Sequence, residues 1–475
     1  MSRAPPPVPG REIHETAARP DGRDDPACGY KEAMTSDALP ARPDATDEVV
    51  DLCRDLLRID TTNTGDNDTS VGERRAAEYV AEKLAEVGVD AEIHESAPGR
   101  ANVVARIPGT EPGRDALLVH GHLDVVPADP DEWSVHPFSG EIRDGYLWGR
   151  GAIDMKDFDA MVLAVVRGWQ RAGVRPRRDI VLAFTADEEA GSDYGAHFLT
   201  QRHRDLFDGC TEAIGEVGGF SYSVDEQRRL YLIETAEKGI DWLRLHAKGR
   251  PGHGSMMHDD NAVTALAEAV ARIGRHRFPV VMTDTVRAFL AEVSDVLGIE
   301  IDPDDPETAI AKLGPIANII GATIRNTANP TRLAAGYKDN VIPGRATATI
   351  DCRSLPGQSE ELERQLRELV GPDIAIEYVQ RQPALETTFD GDLVAGMSAA
   401  LRAEDPGAHP VPYMLSGGTD AKAFSRLGIR CFGFAPLRLP ADLNFSGLFH
   451  GIDERVPLDG LQFGVRVLDR FLRTC

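Results

Sequence analysis

At 475 residues the chain is too long for one ordinary core, so two or more domains are expected. Hydrophobic residues at 42% and charged residues at 27% fit a globular chain rather than a disordered one. With 77 acidic against 52 basic side chains the net charge is −25. Such a surface repels nucleic acid and anionic membrane, so neither is expected as a partner.

The six cysteines are Cys28, Cys53, Cys210, Cys352, Cys431 and Cys475. They show no short spacings, which argues against a disulfide framework or a thiolate zinc site and for a reducing, cytoplasmic home. No apolar run approaches the ~18 residues of a membrane span. The opening MSRAPPPVPGREIHE has no apolar stretch of signal-peptide type.

Residues 1–44 are rich in Pro, Asp, Arg and Ala without a period, and are expected to be a disordered extension. Met34, inside this stretch, is read as the translation start. From Thr46 the pattern becomes regular: DEVVDLCRDLLRI and VGERRAAEYVAEKLAEVGV carry apolar residues at helical spacing. ANVVARI, ALLVHGHLDVV, DIVLAFTADEE and TEAIGEV are short apolar runs ending in polar residues, mostly separated by helix-length segments. That alternation predicts an α/β fold with parallel strands, whose chemistry sits beyond the carboxyl ends of the strands. After Lys238 the run IDWLRLHAKG, NAVTALAEAVARIGR, ATATIDCRSL, SEELERQLRELVG, IAIEYVQ reads as a smaller β-α-β-β-α-β domain inserted into the first. Its middle, roughly 280–335, is longer than the simplest version needs. The catalytic domain is thus expected in two stretches, 45–237 and 382–475, on either side of an inserted domain over 238–381, with CFGFAP as the last strand of the main sheet.

His122 and Asp124 close the apolar strand of LLVHGHLDVVP, two apart and so on one side of it. A histidine can bind a metal while a nearby carboxylate orients it; alone, the pair is equally an ordinary strand-end turn. In LWGRGAIDMKD, Asp154 follows a glycine-rich turn and has two oxygens with which to bridge two ions. In VLAFTADEEAGS a strand ends in Asp187, Glu188 and Glu189, three adjacent acids that repel unless cations or protons compensate. Glu216 ends AIGEVGG, His253 sits in GHGSM, and His450 in FHGIDERVP. Each alone has a bland structural reading; together, two histidines, one aspartate and two glutamates suit zinc.

HGHLDVVP, GRGAIDMK, DEEAGS, GHGS, GGTDA and HGIDE occur here in one order. In that order they resemble the dinuclear zinc hydrolases that include aminoacylase, acetylornithine deacetylase, succinyl-diaminopimelate desuccinylase, dipeptidases and glutamate carboxypeptidase. The resemblance spans about 46–475. It implies a zinc-peptidase-like mixed sheet flanked by helices, with an inserted α+β, ferredoxin-like lid. It implies two Zn²⁺, with Co²⁺ or Mn²⁺ as substitutes, one held by His122, Asp154 and Glu216 and the other by Asp154, Glu189 and His450. The peptide bond after Asp154 is expected to be cis. Glu188 matches the general acid/base, Asp124 the support of His122, and His253 the lid histidine, which in relatives often reaches a dimer partner's site. Arg353, Asn340 and the Gly417–Gly418 turn match positions that hold the substrate carboxylate. The implied activity is hydrolysis of an amide bond next to a free carboxylate, in a dipeptide, a C-terminal peptide bond or an N-acyl amino acid. Peptidase and deacylase stay open, a non-catalytic binding homologue is the contrasting class, and a homodimer through the lid stands beside a monomer. Two departures stand out: Asp157 replaces the glycine of many relatives, an extra acid that would disfavour strongly anionic substrates, and EVGG separates Glu216 from the glycines by one residue, unlike members with an acid directly before them.

Overall fold

A computed structural model of the chain describes residues 45–475 apart from 303, 314 and 315. The expected N-terminal extension over 1–44 and the start at Met34 lie outside the described residues.

A ten-stranded mixed sheet carries the main body. Its centre is parallel, with Ile180–Thr185, Ala116–His122, Cys210–Gly215 and Arg430–Gly433 side by side. Ile180–Thr185 is buried at every position and so is Ala116–His122; a strand covered on both faces reads as an unbroken apolar run, as these do. Leu117, Val119 and Leu182 face one core together with the helices Val49–Leu57, Lys156–Ala172 and Leu458–Thr474. Leu118, Val181 and Ala183 point the other way, onto Leu199 and Phe424. Antiparallel strands Ala91–Ala97 and Arg100–Ile107 finish one side of the sheet. Arg229–Glu237 finishes the other, pairing with Phe220–Ser223, Leu385–Glu386 and Ala408–Leu415. The CFGFAP strand, Arg430–Gly433, therefore lies inside the sheet, between Cys210–Gly215 and Arg229–Glu237. The carboxyl ends of the parallel strands open at one edge, where His122, Glu188, Glu189 and Glu216 sit.

The second sheet is four-stranded and antiparallel, in the order Thr327–Ala335, Arg345–Ser354, Gly239–Lys248, Ile374–Gln382. Burial along Gly239–Lys248 and Arg345–Ser354 alternates, because only one face is covered. Helices Ala262–Arg275 and Ser359–Val370 cover it, packing Leu266, Ile273, Leu362 and Leu366 onto Leu243 and Ile350. Asn261 caps the first of these helices by accepting from Val263 N. This is the α+β lid, with the strand order of a ferredoxin-like fold.

The long middle of the inserted segment behaves differently from expectation. Helix Asp284–Leu297 packs Phe289, Leu290 and Val293 against Leu230, Leu232 and Val411 of the main sheet, not against the lid. Apolar periodicity shows that such a helix needs a partner, but not which sheet provides it. Among the described residues, no helix is long and apolar enough to cross a membrane.

Candidate metal centre

The parallel strands do the positioning. His122 is the last residue of its strand; Glu188 and Glu189 follow Thr185 on the neighbour to one side; Glu216 follows Gly215 on the neighbour to the other. Adjacent strands lie about 4.8 Å apart, so three sequence-distant strand ends become neighbours without any long-range device. Asp154 arrives from the turn before helix Lys156–Ala172, and its peptide bond to Met155 is cis, as expected. His450 comes from the loop ahead of strand Arg455–Pro457.

The side chains converge. His122 Nε2 lies 3.0 Å from Asp154 Oδ1 and 3.4 Å from Glu216 Oε2. His450 Nε2 lies 3.2 Å from Asp154 Oδ2 and 3.1 Å from Glu189 Oε2. The two oxygens of Asp154 thus face two different histidines. His122, Asp154 and Glu216 form one group able to hold a metal ion, and Asp154, Glu189 and His450 form another. Glu188 Oε2 is 4.0 Å from His122 Nε2, beside both groups and bridged to neither histidine at hydrogen-bond distance.

The electrostatics suit cations. Burial pushes the Glu188 carboxyl well up and Glu216 adds to it; burial and Asp154 raise Glu189; burial raises Glu216 to about 8. Asp154 is also buried, but bonds from His122 and His450 outweigh that and hold it below the usual carboxylate range. The same carboxylates push His450 up to about 10. Glu189 Oε1 is buried without a hydrogen-bond partner. Four crowded acids, two imidazoles and an orphaned oxygen form a donor set that fits two divalent cations sharing Asp154.

A second layer fixes the turn that bears the acids. Asp124 meets both His122 and this turn. Its backbone carbonyl, 3.0 Å from Nδ1, orients His122, whereas its nearer carboxylate oxygen stands 3.6 Å away. The carboxylate accepts from the backbone N–H groups of Glu188 and Glu189 and from Asn63 Nδ2. Asp187 holds a left-handed φ of 66°, costly for a residue with a side chain. Its carboxylate accepts from Arg100, Asn63 and the N–H of Tyr194, and Arg100 also makes a two-pronged bond to Glu73. Asp420 takes the hydroxyls of Thr185 and Ser192 from the other side. Sequence reasoning assigned none of Asn63, Glu73, Arg100 and Asp420 a role. Only Asp420 carried a signal, inside GGTDA; Arg100 opens a strand and looks like any surface arginine.

Residues 118–474 match the family described as "Peptidase family M20/M25/M40". The chain belongs to peptidase family M20/M25/M40. Similar proteins include the N-fatty-acyl-amino acid synthase/hydrolase PM20D1 of Xenopus tropicalis, 26% identical over 88% of this chain and 84% of that one. Human aminoacylase-1 is 26% identical over 90% of this chain and 96% of its own length. Among solved structures, the M20 metallo-carboxypeptidase Sso-CP2 from Sulfolobus solfataricus superimposes with a TM-score of 0.69 at 20% identity, covering 90% of this chain and 99% of that one. All five candidate ligands and Glu188 fall within the M20 span, whereas Asn63, Glu73 and Arg100 precede it.

In this M20 metallohydrolase Asp154, Glu189, Glu216 and His450, together with Glu188, border a cleft of about 460 Å³, with His122 buried behind them. Its lining includes the apolar side chains of Val217, Phe220, Tyr413, Leu415 and Phe449, with Phe220 and Tyr413 in edge contact. Gly417 and Gly418 border the cleft, and the lid brings Trp242, Gln380 and Arg353 to it. Arg353 arrives already paired: Nε and Nη2 both donate to Asp351, at 2.7 and 3.1 Å. Of the expected residues, His122 and Asp124 are buried behind the cleft, and two others lie away from it on the lid. His253 and Asn340 are exposed on the lid, near one another, with Gly254 N donating to Asn340 O and His253 bonded to Ser255. Asp157 is buried rather than facing substrate, and burial raises its carboxyl well above the usual range. The effect on anionic substrates expected of it has no basis in its position.

Proposed function

We propose that the chain is a dinuclear zinc amidohydrolase that cleaves an N-acyl amino acid bearing an apolar acyl group. The observation that carries this is the split of Asp154 between two histidine–carboxylate groups, with Glu188 beside both. Nitrogen and carboxylate donors without thiolate suit Zn²⁺, with Co²⁺ or Mn²⁺ as substitutes. His122, Asp154 and Glu216 would hold one ion, and Asp154, Glu189 and His450 the other; once bound, such ions acidify water and polarise a carbonyl.

The chain's own residues do the rest. Glu188 takes a proton as the water oxygen adds to the scissile carbonyl carbon. It returns that proton to the amide nitrogen as the carbon–nitrogen bond breaks, giving a carboxylic acid and a free amine. The apolar lining of Phe220, Tyr413, Leu415 and Phe449 packs the acyl group. Arg353 and the Gly417–Gly418 turn meet the substrate carboxylate, which displaces Asp351 from part of the guanidinium fork. His253 and Asn340 complete the site either by lid movement or from a second copy docked through the lid.

The relatives named for N-acyl substrates favour the deacylase over the dipeptidase, as does the apolar lining. The deciding experiment offers zinc-loaded protein a panel of N-acyl amino acids of rising chain length beside a panel of dipeptides. Turnover that climbs with acyl length is expected. Hydrolysis of dipeptides alone would replace the deacylase with a peptidase. No hydrolysis of either panel, with two ions bound, would remove the enzymatic reading.

A further inference from the structure

Two short links join lid and main sheet. Glu237 still pairs with Leu385 and Leu415 in the main sheet, and Gly239 already pairs with Ser354 in the lid, so Lys238 alone is the first link. Gln382 pairs with Ile240 in the lid and Leu385 with Glu237 in the main sheet, so Pro383 and Ala384 form the second. The chain also crosses before and after helix Asp284–Leu297, which packs on the main sheet, but these three residues are the direct strand-to-strand connections, and a turn of the lid bends them.

Lys422 Nζ reaches both links. It donates to Lys238 O at 2.8 Å and to Pro383 O at 3.2 Å, and it pairs with Glu237 Oε2 at 2.9 Å. An ammonium has three donors, and all three are spent here. Both charged side chains are 1% exposed. Glu237 in turn accepts from the backbone N–H and the hydroxyl of Thr419. Thr419 follows the Gly417–Gly418 turn that borders the cleft. A Cβ on Gly418 would clash with Lys422 Cε and come within 2.9 Å of Ile240 Cδ1.

We propose that Lys422 is a positioning residue that sets the angle of the lid and ties it to the Gly417–Thr419 loop. One ammonium holds the carbonyls of both links, so neither can rotate without losing a bond in a buried place. Its carboxylate partner carries the same constraint into the loop that borders the cleft. Lid angle and the loop's position therefore change together. A salt bridge kept for stability alone needs neither carbonyl.

The test uses the full-length, zinc-loaded protein with fluorophores on exposed Glu82 of the main body and exposed Glu360 of the lid, introduced as unnatural amino acids. Lys422→Met alone strands a buried carboxylate, so the informative variant is Lys422→Met with Glu237→Gln, which removes both charges and nearly keeps both shapes. The expected result is a broader distribution of lid-to-body distances with zinc content unchanged, and a KM raised about tenfold, one or two hydrogen bonds' worth, with a smaller change in kcat. Lys422→Arg keeps the charge and several donors, and should narrow the distribution again. A distance distribution as narrow as that of the unaltered protein overturns the proposal, as does failure of both variants to fold, which would make Lys422 a stabilising residue only. The KM arm rests on the hydrolase reading and the distance arm does not: a broadened distribution with no activity on any panel keeps the hinge assignment and sinks the hydrolase.

Discussion

The two ends of the cleft are built in opposite ways. At the sheet end, His122, Asp154, Glu189 and Glu216 are all but closed off from solvent and meet within hydrogen-bond distances. Each hangs from a strand end or turn that the core fixes. At the lid end, His253 and Asn340 are solvent-exposed and lie off the cleft, on a short two-stranded pairing of Gly252–His253 with Val341–Ile342. The difference teaches that the ion-holding half is complete in one chain and one conformation, whereas the substrate-holding half is not. The proposed chemistry can be pre-organised; the proposed recognition has to be assembled.

The largest expected effect falls on the sheet end. Asp154→Ala removes the one residue both candidate ion groups share, so bound metal should fall from two ions to at most one and hydrolysis should disappear; elemental analysis alongside the acyl-release assay checks both. Two retained ions would break the bridging assignment. Next, Glu188→Gln should keep both ions yet lower kcat by about 10²–10⁴-fold, the range for a positioned proton-transfer group; near-normal turnover removes Glu188 from that role. His253→Ala sharpens the contrast between the two ends, since it should leave metal content untouched and cost about 10²-fold in kcat/KM if the imidazole steadies the developing oxyanion. Mixing it with Glu188→Gln distinguishes lid movement from a docked second copy, because activity returns on mixing only if one chain lends its histidine to another.

The smallest effect on activity is expected far from the cleft. Asp405 accepts from Arg229 and Tyr231. Burial acts against its charge, but these bonds outweigh it and hold the carboxyl down at about 2. The unfolded carboxyl titrates near 4, so the stabilisation is complete above about pH 4 and is lost as the pH falls through about 2. Asp405→Ala should cost about 3 kcal/mol at neutral pH with kcat unchanged, and much less near pH 2. Denaturant melts at the two pH values measure it; an equal loss at both would show that packing, not charge, is what the residue supplies.

Much of the candidate site could be read from the chain because parallel strands make it nearly local. An apolar run followed by His122, by Glu188 and Glu189, or by Glu216 reports both the strand and the edge where it ends. The lid's β-α-β-β-α-β order was legible for a similar reason, since alternation along GIDWLRLHAK marks a sheet covered on one face. What escaped was pairing between distant segments. Nothing about Arg100 at the head of a strand, or Asn63 in a loop, announces that both reach Asp187. The stretch over 280–335 was visibly longer than the lid needs, but nothing in it announced that helix Asp284–Leu297 would cross from the lid segment to the main sheet. Asp157 was read as an acid that would disfavour anionic substrates because a motif gives order along the chain and says nothing of which side a helix turns inward.

The anchoring of Asp187 bears on how the protein would take up its ions. Arg100, Asn63 and the Tyr194 amide hold that left-handed residue through bonds that involve no candidate ligand. These bonds do not run through an ion, so loading the cradle of acids is expected not to be a folding event. A chelated sample should keep its circular dichroism and accept zinc, cobalt or manganese in turn, so one preparation could be emptied and recharged to rank the three ions.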